Sequence, residues 1–271
     1  MSDQTLSDIL KSMEKMAERI RHLESRPIGI GDAPSDDLIY ARKNKAWIQI
    51  LGSTNVVDII EANVSSDGWS GSSSGTFAHT IASGTNKLLI VAVAHNSDAT
   101  NPSTISSVTW NGTNLIKHLP VARNPSEGNI GRMDLWYLVD PEEGTFNVVV
   151  TANGNTQLCA LAADFVYVRQ DAPFEDAGDN NYANNTTPTG TATGGTRALI
   201  FGALAHWNNS ATAVVQAPAT DRGQETSDGA WRGCIATSPS VDLSTPVDID
   251  WTTSVNIVDW AVCVVAIAAE L

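Results

Sequence analysis

From about residue 57 onward the chain is a succession of short β-forming runs, each closed by a Gly-, Asn- or Pro-rich cluster. Among them are "TFAHTI", "KLLIVAVAH", "ISSVTW", "MDLWYLV", "FNVVVT", "LCALAADFVYV", "ALIFGALAH", "VDIDWT" and "DWAVCVVAIA", and none carries a helical period. Antiparallel sheets of this extent must stack face to face to bury one side, so the pattern predicts a mainly β protein whose residues 58–271 form a jelly-roll-like β-sandwich. "WNGT" and "DPEEGT" read as tight turns within it. The region also echoes itself. "GTNKLLIVAVAH" at 84–95 aligns without gaps on "GTRALIFGALAH" at 195–206, and "LCALAA" resembles "VCVVAI" about a hundred residues later. One sandwich built from two related halves is expected, on the argument that neither half alone would close its sheets.

Charge excludes one class of function. The net charge is −14, and because residues 1–50 hold eight acidic and eight basic side chains, the whole imbalance falls after residue 50. An acidic surface repels phosphate backbones, so no nucleic-acid partner is expected for the large part. The apolar run "WAVCVVAIAA" is about half a membrane span and reads as a buried strand, and the N-terminus lacks a signal-like apolar stretch; no membrane insertion is expected. Cys159, Cys234 and Cys263 show no metal-ligand spacing and read as buried packing residues.

Residue patterns that carry chemistry are few. The five histidines are scattered, His95 and His206 close equivalent strands of the two halves, and no GxSxG, HExxH or P-loop occurs. No enzyme, cofactor or metal is therefore expected. "DAPFEDAGDNNYANN", with Asp171, Glu175, Asp176, Asp179 and Asn180, is rich in the oxygens that Ca²⁺ takes but lacks the EF-hand ligand order, and a solvated loop is the favoured reading. Trp110, Trp136, Trp251 and Trp260 lie in strand-like runs and are expected in the core. Trp69 and Trp207 sit in polar, loop-like settings, Trp207 beside Asn208 and Asn209. A sugar ring needs an apolar face to stack on and amides for its hydroxyls, which makes these four the candidate ligand-binding residues; burial or an intersubunit contact is the competing reading.

The N-terminal segment is of another kind. Leu6, Ile9, Met13, Met16, Ile20 and Leu23 recur at alternating spacings of three and four, the seam of a coiled coil over 1–26. Three heptads are marginal alone, so partner helices are required. Leu at a with Ile at d leans toward three or four strands. "RIRHLE" resembles the short motif that specifies coiled-coil trimers, with Arg19, Ile20, Leu23 and Glu24 in its four defining places. Arg19 would lay its methylenes over the seam and donate two bonds to Glu24 of the adjacent chain. Residues 27–57 then read as a linker, "PIGIGDAPSDD", and a β-hairpin, "LIYARKNKAWIQI", whose Tyr40 and Trp47 a lone hairpin would not shelter but three copies would.

Residues 32–51, with the Gly/Pro/Asp lead into "YARKNKAW", resemble an element of bacteriophage fibre proteins that precedes a distal domain. Most of 76–270, through "SSVTWNGTNL", "DLWYLVDPEEGTFNVVVTANG" and "WAVCVVAIA", resembles a β-sandwich module of phage structural and bacterial surface proteins. The resemblance implies a virion structural protein: a homotrimeric tail fibre that displays its sandwiches to a host-surface glycan or protein and meets other virion proteins through its N-terminal region. A capsid-anchored head fibre or decoration protein is the alternative, and a glycan-degrading appendage a second.

Overall fold

The computed structural model describes residues 11, 13, 15 and 16, the backbone of 40–43 and 46–49, and residues 59–98, 104–120, 129–182, 186–195, 197–207, 211–227, 231–238, 246–254 and 258–270. The chain divides into two compact units, Met1–Val56 and Val57–Leu271. In the first, strands β1 (Tyr40–Lys43) and β2 (Ala46–Gln49) form an antiparallel pair with Lys43 opposite Ala46.

The second unit is mainly β and antiparallel. Its first half holds β3 (Ile60–Ile81), β4 (Leu88–Asp98), β5 (Ile105–Trp110), β6 (Thr113–Asn114), β7 (Ile116–Pro120), β8 (Asn129–Val139) and β9 (Gly144–Val166). Its second half holds β10 (Phe174–Tyr182), β11 (Thr189–Ala192), β12 (Leu199–Trp207), β13 (Ala213–Val215), β14 (Thr220–Thr226), β15 (Trp231–Thr237), β16 (Val247–Thr253) and β17 (Val258–Ile267).

In the second half β14-β15-β12-β17-β10 form one sheet and β11-β16-β13 another. The first half repeats this order in a single connected sheet. There β7, β8, β4, the end of β9 and the start of β3 lie side by side, while β5, the start of β9 and the end of β3 make the second layer. The long strands β3 and β9 serve both layers by bending. Register shifts between Trp69 and Ser74, with Gly71 at a φ of 65°, mark the corner in β3. Where the first half bends a strand, the second uses two: β10 and β11 stand for β3, and β16 and β17 for β9.

The register makes the repeat exact at single residues. His95 pairs with Arg132 on β8 and Leu158 on β9; His206 pairs with Arg232 on β15 and Trp260 on β17. Asn86 and Arg197, aligned in the sequence echo, both take a positive φ, 54° and 71°. The second echo is displaced by two residues, since Cys159 lies opposite Ala94 whereas Cys263 lies opposite Ala203, the counterpart of Ala92. An even displacement leaves every side chain on its own face.

The expectation of one sandwich is thereby corrected: each half closes a sandwich of its own, and a third core joins them. Leu89, Val91 and Val93 of β4 face Trp110, Val148 and Val150 inside the first half. Ile200 and Leu204 of β12 face Ile249 and Trp251 inside the second. The alternate residues Leu88, Ile90, Ala92 and Ala94 pack with Phe201, Ala203 and Ala205 across the junction, where the Phe165 and Phe201 rings meet edge to face at 5.9 Å. Both five-stranded sheets are covered on two sides, which is why "KLLIVAVAH" and "ALIFGALAH" are continuously apolar instead of alternating. The four tryptophans expected in the core are there, and all three cysteines are buried free thiols. Burial pushes the Cys159 thiol up to about 12.

At one end of the junction β3 runs against β14. A Cβ added to Gly68 would strike the main-chain carbonyl of Thr226, which cannot swing aside as a side chain would. Replacing Gly68 with valine is expected to cost about 1–3 kcal/mol through backbone displacement. Urea denaturation of the intact protein measures it, and an unchanged midpoint would contradict the close approach.

Candidate functional site

The residues singled out in the sequence are distributed as follows. Leu6, Ile9, Arg19, Ile20, Leu23 and Glu24 lie outside the described residues. Met13 and Met16 have helical backbone and are 62% and 60% exposed in the single chain. Tyr40 and Trp47 are placed by their backbones, opposite Gln49 and Arg42, and their side chains lie outside the described residues. Trp69 belongs to β3, not to a loop. Its ring is half-buried, lies over Gly75 and stands 6.1 Å from that of Phe77. Trp207 ends β12 opposite Trp231; its side chain, Asn208 and Asn209 lie outside the described residues.

The acidic stretch is not a solvated loop either. Phe174–Tyr182 is strand β10, paired along β17. Its carboxylates act as main-chain acceptors: Glu175 takes the Gly195 N–H and Asp176 the Thr193 N–H at 2.6 Å. Arg169 lies 3.6 Å from Asp171 and 3.9 Å from Glu175. The side chains of Asp179 and Asn180 lie outside the described residues. Among the described residues no group of three or more His, Cys, Asp or Glu stands close enough together to hold a metal ion.

Two buried polar groups close the inner core of the first half. Asp164 accepts the Asn63 N–H at 2.8 Å and the Ala82 N–H at 2.9 Å, one on each oxygen, and lies 3.5 Å from His79 Nε2. His79 Nδ1 is 3.0 Å from Ser65 Oγ. A serine, imidazole and carboxylate in line suggest a hydrolase, yet both Asp164 oxygens are committed to the backbone and His79 and Asp164 are fully buried. As arranged, the group fastens both ends of the β3 polypeptide to β9. In the other group, Asp134 lies 3.5 Å from His95 and 2.7 Å from Lys117, whose ammonium sits 5.4 Å from the Trp136 ring centre. Burial would raise the Asp134 pKa, but His95 and then Lys117 outweigh it and hold the carboxyl below its usual range.

The second half lacks that carboxylate. Val93 pairs with Asp134, and its counterpart Leu204 pairs with Cys234, so a thiol occupies the place of the acid. Neither ring nitrogen of His206 has a hydrogen-bond partner among the described residues. Burial, followed by the nearby Arg232 charge, lowers its pKa to about 4.

An open concavity lies on the outer layer of the first half. It is a cleft of about 450 Å³ lined by Asn111, Gly112, Thr145, Phe146, Asn147 and Val149. Asn111 and Gly112 form the β5–β6 turn with φ of 44° and 79°, the left-handed pair that Asn-Gly supplies at little cost. The Asn111 N–H bonds the Asn147 carbonyl at 3.2 Å, and its side-chain amide donates to Glu142 at 2.9 Å, leaving the amide oxygen as an acceptor. Thr145, Asn147 and Val149 alternate outward along β9 while Val148 and Val150 face the core. Phe146 packs edge to face on Trp110 at 5.5 Å. In the sequence "WNGT" is legible as a turn; that it faces the outward residues Thr145, Asn147 and Val149 of β9 depends on a strand pairing across the chain.

No protein-family model matches the chain, and no curated protein or solved structure matches it. What the fold and the cleft define is therefore a class by geometry: an internally duplicated, antiparallel β protein with an open polar cleft in its first half.

Proposed function

We propose that the chain is a structural subunit of a bacteriophage virion, a homotrimeric tail fibre. In this reading residues 1–26 form a three-stranded coiled coil, 27–57 a linker and hairpin that trimerise with it, and the large unit is displayed to the host surface. The observation that carries the reading is the helical backbone at Met13 and Met16 with both side chains exposed. These are consecutive a and d seam positions, and two neighbouring methionines uncovered in one chain call for other chains to cover them. Threefold display would turn weak individual contacts into useful avidity.

Light scattering on the intact protein tests it. The expected mass is three times the 28.7 kDa chain, and Met13→Asp with Met16→Asp is expected to shift the protein to a single-chain species while the β unit keeps its circular dichroism. A stable single-chain mass for the unaltered protein would rule the trimer out. Adhesion of the trimer to host cells, lost in the single-chain variant, tests the display role separately.

A further inference from the structure

We infer that the cleft between the Asn111–Gly112 turn and β9 is a binding site for a neutral saccharide. The inference rests on the surface-display role proposed above and names the ligand chemistry. Its volume, about 450 Å³, suits one or two sugar units.

Its lining offers the groups such a ligand uses. Asn147 is exposed on β9 and Asn111 keeps a side-chain acceptor. A primary amide presents a donor and an acceptor side by side, which matches neighbouring hydroxyls that each donate and accept. Val149, half-exposed on the same face, supplies an apolar patch for ring C–H groups. The charge argues for a neutral ligand: Glu142 stands at the rim within a protein of net charge −14, so phosphate, sulfate or carboxylate groups would be repelled.

The duplication supplies an internal comparison. In the second half Gln216 holds the place of Asn111, because its N–H bonds the Asp250 carbonyl as that of Asn111 bonds Asn147. There Gln216, Thr252, Thr191 and Asp248 bond one another or the backbone. The Gln216 amide donates to Val214 and to Thr252, the latter at 2.9 Å and in the position of Val149. The Thr191 hydroxyl donates to Asp248, which corresponds to Thr145. One framework thus carries an outer turn whose amide bonds its own strands in one copy, and in the other an exposed Asn147 amide and the Asn111 acceptor beside an apolar patch.

The test is binding of the full-length protein to immobilised neutral oligosaccharides, with terminal glucose, galactose, mannose or N-acetylglucosamine, beside a sialylated set. Neutral probes are expected to bind. Asn147→Ala with Asn111→Gly, which keeps the left-handed turn, is expected to weaken binding about tenfold, the loss of two hydrogen bonds. Asp250→Ala with Gln216→Ala in the second half is expected to leave it unchanged. Undiminished binding by the first-half variant, binding confined to the sialylated set, or no binding to any neutral probe would each overturn the site. The display role fails on a different result, absence of host-cell adhesion; adhesion that survives Asn147→Ala with Asn111→Gly would refute the cleft and leave the fibre standing.

Discussion

Replacing Asp164 with alanine is expected to remove about 3–5 kcal/mol of stability, the cost of orphaning buried partners of a charged group. The carboxylate is 0% exposed and holds the N–H of Asn63 on one oxygen and that of Ala82 on the other. Asn63 lies beside a register shift in β3, and Ala82 follows the strand's last residue. One side chain therefore clasps the β3 polypeptide near both of its ends, at Asn63 and Ala82, where ladder bonds alone are interrupted. Asp164→Asn keeps one acceptor and is expected to lose less than alanine. Ser65→Ala touches only the far side of His79, at 3.0 Å, and is expected to lose least. Thermal and urea unfolding rank the three, and equal losses for Ser65→Ala and Asp164→Ala would contradict the clasp.

The second large effect is acid sensitivity through His206. Its folded pKa is about 4 against an ordinary 6.5, because burial and then Arg232 disfavour the imidazolium. Above pH 6.5 the ring is neutral folded or unfolded, so it contributes no pH dependence. Between 6.5 and 4 the unfolded chain binds a proton that the folded chain refuses, and stability falls as the pH falls. Below 4 the loss is complete, up to about 3 kcal/mol. His118, whose pKa is also lowered by burial, acts in the same direction. His206→Phe is expected to flatten the stability profile between pH 6.5 and 4. Cys234→Asp, which puts back the acid found opposite Val93 in the first half, is expected to raise the His206 pKa, read by NMR titration of its ring protons. A profile unaffected by His206→Phe would mean that the ring is not buried as described.

Much of the β unit was legible because its central strands are written in apolar residues. "KLLIVAVAH", "LCALAADFVYV", "ALIFGALAH" and "DWAVCVVAIA" all lie largely within strands at the middle of sheets. What escaped was the edges. "FEDAGDNNY", loop-like in composition, is β10 at the margin of its sheet, and "TDRGQET" is β14 at the other margin. An edge strand pairs on one side only, and charged or polar side chains there discourage pairing with foreign strands, so its sequence resembles that of a turn. Trp69 lies in a loop-like sequence for the same reason: the polar start of β3 is an outer strand of its layer. A single sandwich is expected if neither half can close its own sheets; the apolarity on both faces of β4 and β12 signals instead a second layer of contact. The cleft could not be found from sequence, since Asn111 and Asn147 are joined only through the β5–β9 ladder.

The doubled architecture has a consequence for how this protein can change. Two identical subunits meeting back to back must accept every mutation twice, so a gain on one surface is imposed on the other. Joining the copies in one polypeptide lifts that constraint. One copy can exchange Asp134 for a thiol and fill its outer turn with self-bonded amides, remaining a rigid buttress, while its twin is free to vary the exposed ladder for new partners.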